Sequence, residues 1–198
     1  MLAAFVGVGI GVGLGIELRH GSSASTGAAI EAAQGGPVAT WKAGAQPAPA
    51  FHLHDAAGAA VSLAQYRGRN VIVTFMDPLC TTFCPRESAV IDQALKRLPV
   101  ADRPAVIAIN VNVPVQAGAT LRKEAKRFRW LPQWRWATGS KTQLAAAWKS
   151  YQIEVLPTNG DITHTEAAYL VDKNGDQRAL FFWPFNANDL LRTYSTLH

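Results

Sequence analysis

The 198-residue chain is poor in the side chains that bind metals in clusters, with two cysteines, two methionines and five histidines. So few ligands exclude zinc ribbons, iron–sulfur clusters and methionine-rich metal sites, each of which gathers more of them. Charge is sparse as well: Asp, Glu, Lys and Arg make up 17% of the residues, against 48% hydrophobic. That balance is globular and fits one domain of ordinary size. A folded unit of about 150 residues buries roughly 68–70% of its unfolded surface, so a core forms without covalent staples. Neither cysteine is needed as one. No G-x-G-x-x-G spacing passes through Gly7, Gly9, Gly11, Gly13 and Gly15, which removes a dinucleotide loop, and no internal repeat is visible, which removes solenoid architectures.

What the front of the chain does have is MLAAFVGVGIGVGLGI, a run without side-chain charge closed by Glu17 and Arg19. At 1.5 Å per residue its 16 residues reach about 24 Å, short of a hydrocarbon core of roughly 30 Å. Residues 1–18 read as a clipped membrane anchor or uncleaved signal-anchor, with a cleaved signal peptide and a buried helix as alternatives. The lack of basic residues ahead of the run suits a start site placed too late. Both membrane-targeting readings export the rest of the chain. Residues 19–50, dominated by Ala, Gly, Ser, Pro and Gln, read as a flexible linker. Residues 51–198 are then the single working domain.

Within it, Phe51 to Asp55 alternates like a strand and Gly58 marks a turn. Asn70 to Phe75 and Ala105 to Val113 are nearly continuous apolar runs, as in strands buried on both faces. Between them Pro85 opens a helical pattern with Val90, Ile91, Leu95 and Leu98 on one face, which makes a βαβ unit with parallel strands. Further helices are expected at Thr120–Trp130, at Ser140–Tyr151 with Ser140 as N-cap, and after Asn186 or Asn188. Asn174-Gly175 between Ala167–Asp172 and Arg178–Phe182 predicts a hairpin. The order is that of an α/β, thioredoxin-like fold, a mixed central sheet flanked by helices.

The segment TFMDPLCTTFCPRE, residues 74 to 87, carries the chemistry. It places Cys80 and Cys84 at the carboxyl end of a buried strand, where α/β sheets bind ligands. Residues four apart on a helical turn are close enough to close a disulfide and, once reduced, to offer two thiolates. The helix N-terminus and Arg86 are expected to lower at least one thiol pKa. A disulfide that only stabilises an exported domain is the alternative, although a loop of three intervening residues gains little from closure.

Phe75 with Cys80-Thr-Thr-Phe-Cys84-Pro85 resembles the C-x-x-x-C-P signature of the Sco/SenC copper-chaperone family. Phe51-x-Leu53-x-Asp55, Gly58, Ser62-Leu63, Arg67-Gly68, Trp136-Ala-Thr-Gly-Ser140, Trp148 and His164-Thr-Glu-Ala-Ala-Tyr169-Leu-Val-Asp172 extend it over roughly residues 50 to 198. The resemblance implies a membrane-tethered, extracytoplasmic chaperone that binds copper, as Cu(I) or Cu(II), through Cys80, Cys84 and His164. Two thiolates and an imidazole form a soft set that suits copper, whereas structural zinc wants a fourth ligand. It also implies cytochrome c oxidase subunit II as acceptor at its CuA centre, a thioredoxin-like reductant, residence at the cell membrane and no nucleic acid. Two departures stand out. Asn110-Val-Asn112 occupies the place of a usual acidic residue, whose role is vacant or shifted to Asp77, and Thr163 replaces an Asp before the histidine. Asp77 itself reads first as a turn residue ahead of Pro78.

Two rival chemistries use the same cysteines. A thiol–disulfide oxidoreductase for exported proteins or apo copper sites needs only an exposed low-pKa pair, although dedicated thioredoxins carry C-x-x-C. A thiol peroxidase is suggested by Thr81-x-x-Cys84-Pro85-x-Glu87 and disfavoured by the extra Cys80. His52 and His54 share a strand face and read as solvated; His20 falls in the linker and His198 at the end. Leu121 to Arg135 holds six Arg/Lys and one Glu, a net +5 equal to the formal charge of the whole chain. It reads as a solvated helix face, with docking of an acidic partner as the alternative.

Overall fold

The structure, a computed structural model, describes residues 35–158 and 162–197. The expected anchor, His20 and His198 lie outside the described residues. No helix among those described is long and apolar enough to cross a membrane. The strands are β1 (Ala39–Thr40), β2 (Leu53–His54), β3 (Ala60–Val61), β4 (Val71–Met76), β5 (Ala105–Asn110), β6 (Trp134–Ala137), β7 (Val155–Pro157), β8 (Ile162–His164), β9 (Ala167–Val171) and β10 (Gln177–Phe182). The α-helices are α1 (Phe83–Lys96), α2 (Gly118–Arg127), α3 (Lys141–Ser150) and α4 (Ala187–Tyr194).

Six strands form one sheet in the order β1-β10-β9-β4-β5-β6. β4, β5 and β6 run parallel, while β9 pairs antiparallel with β4 and with β10, so the sheet is mixed as expected. The apolar runs explain the layers. Along β4, Ile72 and Met76 point to one side and Val71, Val73 and Phe75 to the other; along β5, Val106 and Ala108 oppose Ile107 and Ile109. The first side packs on Ile91 and Leu95 of α1, Leu121 of α2 and Leu190 of α4. The second packs on Leu144 and Ala147 of α3 together with Phe51 and Tyr151. Every residue of both strands is buried, which is why neither shows polar alternation.

Local signals place the boundaries. Ser140 caps α3 by accepting the Gln143 amide at 3.3 Å, and Asn186 caps α4 through the Asp189 amide at 2.9 Å. Gly175 turns the β9–β10 hairpin with φ of +81°, a conformation that L side chains resist. His52 is exposed and His54 half-buried, its Nδ1 donating to the Asp55 carbonyl at 3.1 Å, so the pair stays an outer face.

Two regions depart from expectation. The second half of the expected linker, residues 35–50, is part of the folded unit: β1 pairs with β10, the Gln177 amide donates to the Gln46 carbonyl at 2.7 Å, and the Ala48 amide to that of Gly175 at 2.9 Å. Backbone hydrogen bonds to a sheet edge need no apolar side chains, so composition misreads this stretch. Residues 152 to 163, to which the sequence assigns no element, contain β7 and part of β8, a separate two-stranded hairpin with Val155 opposite His164.

Candidate metal and redox site

The site grows from the carboxyl end of β4. Residues 77–82 leave the sheet and turn into α1, which begins at Phe83, two residues ahead of Pro85, so Cys84 lies in its first turn. Asp77 shapes the exit. Its Oδ1 accepts the Leu79 amide at 2.8 Å, closing an Asx turn, and also accepts from the Asn112 amide side chain at 2.8 Å. Asn110 is a fastener as well, donating to the Val115 carbonyl at 2.8 Å and accepting the Asn112 amide at 2.7 Å. Both asparagines thus hold loops together where the family resemblance led one to look for an acid.

Both cysteines are reduced; Cys84 is buried and Cys80 half-buried. The first amides of a helix lack intrahelical acceptors. Thr82, at the cap position of α1, offers no side-chain hydrogen bond to the helix amides, and the Cys84 amide donates instead to Cys80 Sγ at 3.3 Å. The Cys84 thiol also donates to that sulfur. Together with the amides of Cys84 and Thr82 and the Thr82 hydroxyl, it pulls the Cys80 thiol down to about 5 against the opposing effect of burial. The same hydrogen bond holds the proton on Cys84, and burial and the negative charges of Cys80 and Glu87 push its thiol far up. The pair is one thiolate and one thiol, arranged by a helix end.

Cys80 lines a cavity of about 820 Å³ that is also lined by Asp77, Arg86, His164 and Glu166, with Phe83, Phe182 and Trp183 as apolar wall. His164, the last residue of β8, donates from Nδ1 to the Thr165 carbonyl at 3.0 Å. Cys80 and His164 therefore share a space. Among the described residues, however, no three His, Cys, Asp or Glu side chains stand close enough to hold one metal ion together.

Three residues bear on the sulfurs without being among the expected ligands. Glu87, one helical turn past Cys84, is fully buried; its Oε1 accepts the Thr74 hydroxyl at 2.5 Å and its Oε2 has no hydrogen-bond partner. Burial pushes its carboxyl up to about 8, the Thr74 hydroxyl opposing and the charges of Glu166 and Cys80 adding. Burial, then the Cys80 charge, raises Glu166 to about 7. The C-P-x-E spacing points at Glu87, but only the fold sets it opposite Thr74. The third residue is Arg127 of α2, whose guanidinium reaches the cysteine loop from outside.

Residues 40–196 match the profile of the SCO1/SenC family. The chain belongs to that family. No curated protein matches it. Among solved SCO1/SenC structures, Bradyrhizobium japonicum ScoI with copper bound superposes with a TM-score of 0.66 at 23% identity, over 78% of this chain and 100% of that one. A SCO1/SenC lipoprotein from Bacillus anthracis gives 0.69 at 21% identity, over 80% and 99%. BsSco, a Sco-family cytochrome c oxidase assembly protein with a disulfide switch, gives 0.64 at 19%, over 82% and 96%. At these identities the likeness establishes the thioredoxin-like fold.

Proposed function

We propose that this SCO1/SenC chain is a membrane-tethered, extracytoplasmic copper chaperone. Cys80, Cys84 and His164 take up copper, residues 1–18 hold the domain at the membrane, and the metal passes to the CuA centre of cytochrome c oxidase subunit II. The observation that carries the reading is the cavity shared by His164 and the Cys80 thiolate, one hydrogen bond from Cys84. Copper is cargo here. Two sulfurs and an imidazole suit Cu(I) and also hold Cu(II). With Nδ1–H engaged by a carbonyl, the basic nitrogen of His164 is Nε2, the usual arrangement of a ligating histidine. The β7–β8 hairpin carries this residue, and movement of the hairpin toward the loop would complete the ligand set.

Ligand exchange then transfers the metal, with Cys84 releasing its proton as copper binds and regaining one as copper leaves. Exchange with a partner protein's disulfide, which leaves as a dithiol with the two electrons and the Cys84 proton, closes the Cys80–Cys84 disulfide and forbids binding. A thioredoxin-like dithiol restores the pair, itself becoming the disulfide. Copper on Bradyrhizobium japonicum ScoI and the disulfide switch of BsSco support both halves of the cycle.

A second reading is favoured by the same asymmetry: a half-exposed thiolate with a buried partner is the attacking and resolving pair of a thiol–disulfide oxidoreductase. One experiment separates the two. The reduced full chain is titrated with Cu(I) beside Cys84→Ala and His164→Ala, and each is assayed for insulin disulfide reduction. A chaperone binds one equivalent, weakened at least tenfold in both variants. Undiminished disulfide reduction with no stoichiometric copper assigns the oxidoreductase.

A further inference from the structure

Residues 77–82 belong to neither β4 nor α1, so no ladder or helix bonds fix the loop that carries Cys80. Its inner side is tied by Asp77, through the Leu79 amide to Oδ1 and the Cys80 amide to the backbone carbonyl at 3.1 Å. The outer side is tied by a residue 47 positions away. Arg127 Nη2 donates to the Pro78 carbonyl at 3.0 Å and to the Cys80 carbonyl at 2.9 Å. One nitrogen thus fixes the Pro78–Leu79 and Cys80–Thr81 peptide units.

The guanidinium is itself held. Its Nε pairs with Glu124, whose side chain is 7% exposed, and its Cζ lies 4.4 Å from the centroid of the buried Phe128 ring. α2 is fixed in turn by Leu121, fully buried, whose carbonyl accepts Trp136 Nε1 at 2.9 Å. A planar fork locked by a carboxylate and a ring delivers two hydrogen bonds at little entropic cost, whereas a lysine offers a single charge on a flexible stem. Arg127 stands apart within its basic stretch by these contacts and not by burial: its side chain is 36% exposed, and Lys123, Lys126 and Arg129 are exposed too.

We infer that Arg127 is the positioning residue of the cysteine loop. By holding the carbonyls of Pro78 and Cys80 it sets where Cys80 Sγ meets the first turn of α1, and so prepares the sulfur pair before any ligand arrives. For copper the inference rests on the chaperone reading; for the apo dithiol it stands without it.

The test compares the full chain with Arg127→Gln, Arg127→Lys and the charge control Lys123→Gln. Cu(I) affinity is read by competition with a chromophoric chelator, and iodoacetamide alkylation of Cys80 is followed at pH 6 in the reduced apo form. Loss of an outer-shell partner of a metal site typically costs 10–100-fold in affinity. Arg127→Gln is expected to weaken copper about tenfold and to slow alkylation several-fold, Arg127→Lys to restore neither fully, and Lys123→Gln to change neither. Both readouts at wild-type level in folded Arg127→Gln overturn the inference. So does full restoration by Arg127→Lys, or an equal effect of Lys123→Gln, since charge alone then suffices. Should Arg127→Gln fail to fold, Arg127→Lys decides by the same readouts. If the wild type binds no copper while Arg127→Gln still alters alkylation, the chaperone reading fails and the positioning role stands.

Discussion

Cys80 accepts the Cys84 thiol and caps the helix that carries it, and those two contacts make two unlike thiols out of residues four apart in sequence. Alkylation of the reduced chain is expected to follow an inflection at about 5 for Cys80. Cys84, 1% exposed, stays unlabelled until the chain unfolds. Equal labelling of both thiols near their ordinary range would contradict the asymmetry. Glu87 gives a second residue-scale prediction. Its carboxyl is raised from 4.5 to about 8 in the folded chain, so the folded state keeps a proton that the unfolded state loses. That contribution to stability is complete below about 4.5 and is lost as pH climbs through about 8. Urea unfolding at pH 5 and pH 8 should show a steeper loss in wild type than in Glu87→Gln; identical pH dependence in both refutes the buried acid. The C-x-x-x-C-P spacing made the cysteines legible in sequence. The buried role of Glu87 was not, because its meaning lies in facing Thr74 across 13 residues, and Arg127 was hidden among basic residues that are solvated.

The β4–α1–β5 unit, α3 and the β9–β10 hairpin were legible because their apolar periods are long or their turn and cap residues specific, as at Asn174-Gly175 and Ser140. β1, β7 and β8 span two or three residues each, too few for a period to show, and backbone pairing holds them. α1 starts two residues before the position its proline marks, because Pro85 reads as the first helical residue while the Cys84 amide finds a sulfur acceptor ahead of it. The two-sided burial of β5 is testable at this scale. Ile107→Ala is expected to cost about 2–5 kcal/mol in urea unfolding. Val100→Ala, at a residue 70% exposed, should cost less than about 0.5 kcal/mol. Similar losses would contradict the layered core. Removing residues 1–50, and β1 with them, should lower the melting temperature relative to a chain starting at residue 35, and equal melting would make that edge strand dispensable.

For the molecule as a whole, three parallel strands end at one pole, and the cysteine loop emerges there from β4 beside the hairpin that bears His164. The order of elements made that pole legible in advance. Where the imidazole lies relative to the sulfurs was not, since it depends on where a short hairpin rests. The chain carries a net charge of +5, concentrated in a basic stretch from which Arg127 reaches into the cysteine loop, while its lysines are exposed. The central claim is that Cys80, Cys84 and His164 hold one copper ion. X-ray absorption at the copper edge of the reduced full chain, loaded with one equivalent of Cu(I), tests it directly. Two sulfur ligands and one nitrogen are expected, with the nitrogen lost in His164→Ala; a spectrum that His164→Ala leaves unchanged, or no retained copper, contradicts it.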